Sequence, residues 1–169
     1  MKSEFETQEA QRNAPEHKSY VLGFCFVPRT ELRGTDPDPM ANYRVVVIRK
    51  NKPEWQRGLL NGIGGEIEQG EDPEDAMARE WREETGTTID SWDPFIVMRF
   101  SGATIFVFRT VAKEMPDFRQ TTDEEVSAWI VSGLMRHSGK IPNLNWLIPM
   151  ALFDAREADS IKPPHIFYL

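Results

Sequence analysis

Between Gly65 and Gly86 the chain sets a glycine turn directly ahead of an acidic helix, and this pairing limits the possible folds more than any other stretch. Asn61-Gly62 and Gly64-Gly65 mark unusual backbone angles, which glycine alone adopts cheaply. Asp72-Pro73 then supplies a helix start, with Asp as N-cap, Pro at the first helical position and Asp75 at the third. The helix is expected to run to about Thr85, with Gly86 as its stop. Glu80, Glu83 and Glu84 are spaced i, i+3 and i+4, so they share a helix face. Three close carboxylates repel one another, and folding alone does not favour them there. A divalent cation reverses the sign, because Mg²⁺ takes carboxylate oxygens and keeps waters and phosphate oxygens as its other ligands. The chemistry suggested is metal-assisted attack on a phosphate chain.

Strands dominate around this unit. Residues 20–27 are apolar, rich in β-formers and closed by Pro28. Residues 43–48 (YRVVVI) are apolar enough for a central strand. Residues 95–100 and 104–111 form an expected hairpin across Ser101-Gly102, and 125–131 a further short strand. A second helix is expected over 143–157, which Pro149 must start or kink, and residues 165–169 suit an edge strand. Strands in hairpin order with one interrupting helix predict an α+β fold: a layered α/β/α domain on a mixed sheet. Residues 1–17 are expected to be a flexible N-terminal segment and 18–169 a single domain.

Charge and composition narrow the partners. The net charge of −7 and the lack of a basic patch argue against nucleic acid. No apolar run approaches the roughly 18 residues of a membrane span, and the polar N-terminus has no signal-peptide core. The single cysteine, Cys25, excludes an internal disulfide and fits a reducing cytoplasm. It lies in an apolar run and reads as core.

The motif resembles the Nudix box. Gly65, Glu71, Arg79-Glu80, Glu83-Glu84 and Gly86 occupy its seven fixed positions within residues 65–87. At roughly 7% per position, chance yields about one such match in 10⁶ chains of this size. Two positions depart from the pattern: Trp81 puts a large ring in an apolar slot, and Thr87 stands where an aliphatic residue is usual and is expected to cost packing. The resemblance implies a Nudix-type fold and hydrolysis of a nucleoside diphosphate linked to another group, with Mg²⁺ or Mn²⁺. It implies that Glu80, Glu83 and Glu84 ligate metal, joined by the carbonyl of Gly64 or Gly65, with Glu80 or a neighbour as general base. Arg79 would orient that carboxylate and Glu71 would support the metal shell.

The flanks bear on the substrate. Leu60-Asn61-Gly62-Ile63-Gly64-Gly65 is similar to the entry of the MutT-like and oxidised-purine nucleoside triphosphatase branches, where the matching asparagine contacts the base. An amide both donates and accepts, which suits a purine edge; Asn61 also suits a tight turn before Gly62. Trp55, six residues earlier, is either a base-stacking platform or a core plug. Met98 and Phe100 match pocket-facing strand residues of that branch, or are core. Glu124, five residues before Trp129, matches an additional catalytic carboxylate, with a plain polar loop as the alternative. The branch reads its base with acids ahead of a Trp-containing helix. Here residues 141–146 carry asparagines instead, so Asn143 or Asn145 is a candidate contact and no base preference carries over. Leu60 likewise replaces an aromatic at the pocket edge.

The expected activity is conversion of a nucleoside triphosphate, or a modified form of one, to the monophosphate and pyrophosphate. Hydrolysis of ADP-ribose, a nucleotide sugar or a dinucleotide is the alternative, and a non-catalytic nucleotide-binding module is the second. The expected partner is a small nucleotide, with neither nucleic acid nor membrane, and the protein a monomer or homodimer.

Overall fold

The computed structural model describes residues 17–31 and 36–156, with side chains as far as Phe153. The expected flexible segment, apart from His17, and the expected edge strand at 165–169 lie outside the described residues.

One mixed sheet holds β1 (Lys18–Pro28), β2 (Tyr43–Arg49), β3 (Leu60–Asn61), β4 (Asp93–Phe100), β5 (Ala103–Val111) and β6 (Glu125–Ile130). The whole of β5 pairs in parallel with β1, from Lys18↔Ala103 to Phe26↔Val111. β4 and β5 form the expected antiparallel hairpin, turning at Gly102 with φ 88°. β2 carries β6 along one edge; its other edge meets β1 at Val45 and β3 at Ile48. β1 and β2 therefore diverge, and the chain after β3 enters the gap through bridges at Gly23↔Ile63 and Tyr20↔Glu66. That gap receives the glycine turn.

Two layers of helix follow from the alternation of the central strands. Val21, Cys25, Val27, Val46 and Ile48 pack with Ala76, Met77 and Trp81 of α1 (Pro73–Thr85). Leu22, Phe24, Phe26, Val45 and Val47 face the other way. They pack with Val131 and Leu134 of α2 (Val131–Arg136) and Leu144, Leu147 and Ile148 of α3 (Leu144–Arg156). Both faces are covered, which is why β1 and β2 read as continuous apolar runs. Gly23 lets α1 close on the sheet: a Cβ there would lie 2.6 Å from the Met77 sulfur. Cys25 is fully buried, and burial pushes its thiol up to about 12.

Two expectations change, and one is narrowed. Residue 131 opens α2 instead of ending a strand; Lys140 closes that helix, its buried ammonium donating to the Met135 and His137 carbonyls at 2.9 and 2.6 Å. Of the two places open to Pro149, the structure has it inside α3 and not at its start. Its ring nitrogen cannot donate to the Asn145 carbonyl, and the burial of Leu147, Ile148, Ala151 and Leu152 holds the helix across that defect. Finally, Thr87 does not merely cost packing. Its hydroxyl accepts from the Trp81 indole N–H at 3.0 Å, so the two departures from the motif satisfy each other.

Candidate active site

α1 forms as its sequence requires. The Asp72 carboxylate accepts from the Glu74 N–H at 2.9 Å, Pro73 takes the first turn, and Gly86 ends the helix with φ 68° while donating to the Arg82 carbonyl. The buried side presses Trp81 against Trp92 edge to face, with centroids 5.4 Å apart. That docking fixes the rotation of the helix. Arg79, Glu80 and Glu84 are left at the rim, facing the turn at 62–66 and the loop before β6.

The turn is pinned to β1. Val21 N–H donates to the Gly65 carbonyl at 2.9 Å, and Gly23 and Ile63 exchange main-chain bonds at 2.7 and 3.2 Å. At Gly65 the Glu80 carboxylate occupies the space a side chain would need: an added Cβ would stand 2.6 Å from its carboxyl carbon. At Gly64 a Cβ would collide with the Val21 carbonyl. Gly64 is thus required by the close approach of turn and strand, whereas at Gly65 a side chain would have to displace the Glu80 carboxylate.

Arg79 organises the carboxylates. Its guanidinium grips Glu71 with two bonds, at 2.8 and 3.0 Å, and donates to Glu80 at 2.8 Å, Glu83 at 3.2 Å and the Glu66 carbonyl at 3.1 Å. A planar fork suits this arrangement where an ammonium would not. The Arg79 bonds, aided by the Glu68 N–H, hold the Glu71 carboxyl below the usual range. Glu80 and Glu84 move the opposite way, because burial disfavours their charged forms more than neighbouring cations restore them. Glu83, with its side chain 54% exposed, stays at the solvent edge.

The loop before β6 closes the site from the side. Thr122 donates to Glu84 at 2.8 Å, and the Thr121 hydroxyl bonds the Glu83 carbonyl. Glu124 lies in this loop with its side chain buried. It accepts from the Lys50 ammonium and the Asn51 N–H, both at 2.6 Å, and from the Lys52 N–H at 3.3 Å. The Thr122 hydroxyl that donates to Glu84 also accepts from the Glu124 N–H at 3.2 Å, so Thr122 links the helix acid to the loop that carries Glu124. Lys50 and Thr122 escaped the sequence reading. The only signal for Lys50 is a cation directly after an apolar strand, and for Thr122 a hydroxyl two residues before an acid.

The expected base contacts fare less evenly. Trp55 is 67% exposed, which rules out a core plug. Asn61 is engaged locally: its carbonyl oxygen accepts from the Gly62 N–H at 2.9 Å and its amide donates to Gln56 at 3.3 Å. Met98 is buried in the core beneath α3, whereas Phe100 is 47% exposed at the end of β4, so the two do not line one surface. Asn143 is half-buried, and its side-chain oxygen has no hydrogen-bond partner among the described residues.

Among the described residues no three acid, histidine or cysteine side chains already converge as a metal cage. The donor set nevertheless suits a hard cation. Glu80 and Glu84 offer oxygens whose charge is only partly offset, and the Gly65 carbonyl keeps a lone pair beyond the one Val21 uses.

The model of the NUDIX domain family matches residues 39–137, well over half of the chain. The chain belongs to the Nudix family. Nudix hydrolases use divalent metal ions, and family members bind small nucleotides. Solved Nudix structures share the fold at low identity. The MutT structure from Aliivibrio salmonicida and Vibrio cholerae work superposes with TM-score 0.60 at 18% identity, covering 82% of this chain and 98% of that one. The NUDIX domain of Shewanella oneidensis NrtR, solved with ADP ribose, gives 0.65 at 12%, covering 95% and 99%. A MutT/nudix family protein from Enterococcus faecalis gives 0.56 at 20%, and there the match spans 75% of this chain but only half of that one. Among curated proteins none matches. Among the described residues no helix is long and apolar enough to cross a membrane.

Proposed function

We propose that this protein is a Mg²⁺-dependent Nudix pyrophosphohydrolase that cleaves a nucleoside triphosphate, or a modified one, to the monophosphate and pyrophosphate. The observation that carries the reading is the Glu80 carboxylate seated over Gly65 and held there by Arg79. Glu80, Glu83 and Glu84, with the Gly65 carbonyl, would hold the ion; Mn²⁺ suits the same oxygens. When bound, the ion supplies a water of lowered pKa and offsets charge on the departing phosphate. The protein's own groups do the rest. Glu80 would accept the proton from the attacking water. Arg79 fixes the carboxylate in place and Glu71 fixes Arg79. Glu124 stands ready as a further acid beside Glu84. Exposed Trp55 and Phe100 offer stacking faces for a base, and the unsatisfied oxygen of Asn143 offers an acceptor for an exocyclic amine. Asn61 reaches a base only by giving up its bonds to Gly62 and Gln56.

ADP-ribose hydrolysis is the second reading, favoured by the near-complete overlap with the NrtR domain that was solved with that ligand. A panel of nucleoside triphosphates, nucleotide sugars, ADP-ribose and dinucleotides, incubated with Mg²⁺, separates the two. Pyrophosphate from triphosphates supports the first, and AMP with a phosphosugar supports the second. Glu83→Gln and Glu84→Gln should each lower turnover by at least about 10² while the circular dichroism of the fold persists. Near-normal rates in either variant would overturn the assignment.

A further inference from the structure

Residues 119–124 are fastened to the last turn of α1, and the bonds that do so are of two kinds. The Arg119 N–H donates to the Thr85 carbonyl at 2.9 Å, and the Thr121 hydroxyl bonds the Glu83 carbonyl. Together with the Gly86 N–H on the Arg82 carbonyl, these cap main-chain acceptors that an α-helix leaves unpaired at its end. Thr122 bonds a side chain instead. Its hydroxyl donates to Glu84 Oε2 at 2.8 Å, a contact that capping the helix does not require. The Glu124 N–H donates to the same hydroxyl oxygen at 3.2 Å. A hydroxyl has one hydrogen, and with a main-chain donor on its oxygen that hydrogen is aimed at Glu84. The other oxygen of Glu84, Oε1, accepts from none of the described residues.

We propose that Thr122 is a positioning residue for metal binding: its hydroxyl holds Glu84 Oε2, so that Oε1 is the oxygen presented to the ion. This rests on the metal-dependent reading above. A glutamate side chain is rich in rotamers, and an ion that binds it must first order it at a cost in entropy. Thr122 supplies that order beforehand, through a hydrogen bond strengthened by the carboxylate charge. Outer-shell donors of this kind are worth about 10–100-fold in metal affinity. The same hydroxyl sets the helix acid against the main chain of Glu124, so one atom fixes the spacing between α1 and the loop beside it. Thr122 acts only through Glu84.

Mn²⁺ binding to the full chain without nucleotide, followed by electron paramagnetic resonance and calorimetry, tests this independently of turnover. Thr122→Val, which keeps the shape and removes the hydroxyl, should bind Mn²⁺ on the order of tenfold more weakly than the parent. Thr122→Ser should restore the affinity to within about threefold. Thr121→Val is the control, because it loosens the same loop from the same helix turn but touches no carboxylate. It should lower the melting temperature and leave the Mn²⁺ affinity within about twofold of the parent's. Thr122→Ala serves if the valine variant does not fold. Parent-like Mn²⁺ binding by Thr122→Val overturns the proposal. An equal loss of affinity in Thr121→Val and Thr122→Val also overturns it, since loop anchoring alone would then explain both. Failure of the parent and every variant to bind Mn²⁺ overturns the metal-dependent reading and this proposal with it.

Discussion

Glu84 shows how one residue can serve a site at the expense of the fold. Burial raises its pKa above the ordinary carboxylate value, so the folded protein holds a proton more readily than the unfolded chain does. Such a group adds stability below the unfolded pKa, and that contribution is lost as pH rises through the folded value. Glutamine carries no charge to bury and still accepts from Thr122. Glu84→Gln should therefore raise the metal-free melting temperature by about 2–4 °C near pH 7, with the gain shrinking toward pH 4. Calorimetry across that range checks it, and a gain that grows on acidification would contradict the burial account. Glu71 has the opposite sign: Arg79 depresses its pKa, so its contribution is present above the unfolded value and disappears as pH falls through the folded one. The acids of the motif itself were legible because their spacing is local. Lys50 was not, since only the return of the chain at β6 brings Glu124 back to it, 74 residues later.

At the scale of elements, α1 was readable from end to end, because cap, proline, apolar face and terminal glycine all lie within one short stretch. What stayed hidden was the meaning of its two irregular positions. Trp81 needs an acceptor for a buried N–H, and Thr87 supplies it just past the helix end. Thr87→Val, although it restores the usual aliphatic residue, should destabilise the protein by about 1–3 kcal/mol through an orphaned indole donor. In urea denaturation, Trp81→Leu combined with Thr87→Val should cost less than the sum of the single changes; strict additivity would show that the pair does not interact. α2 went unread because six residues carry too little periodicity, whereas α3 was legible despite Pro149, since tertiary packing outweighs a local breaker. Met98 shows the same limit in a strand: period-2 alternation pairs it with Phe100, but α3 covers one and leaves the other exposed.

For the whole molecule, layer order and sheet class followed from hairpin spacing, whereas the parallel pairing of β1 with β5 lies beyond any local pattern. That pairing has a practical consequence through the bond from Val21 to the Gly65 carbonyl. The glycine turn is moored to the first strand, and that strand is zipped to a partner more than 80 positions downstream. A truncated chain beginning at Phe24 would keep every residue of the motif yet lose the Val21 and Gly23 bonds that pin the turn. It should lose activity even if α1 remains helical, and an active truncation would show the mooring to be dispensable. The motif is thus no portable cassette: it is a set of side chains whose foundation is laid elsewhere, and grafting it into another scaffold would require bringing that first strand along.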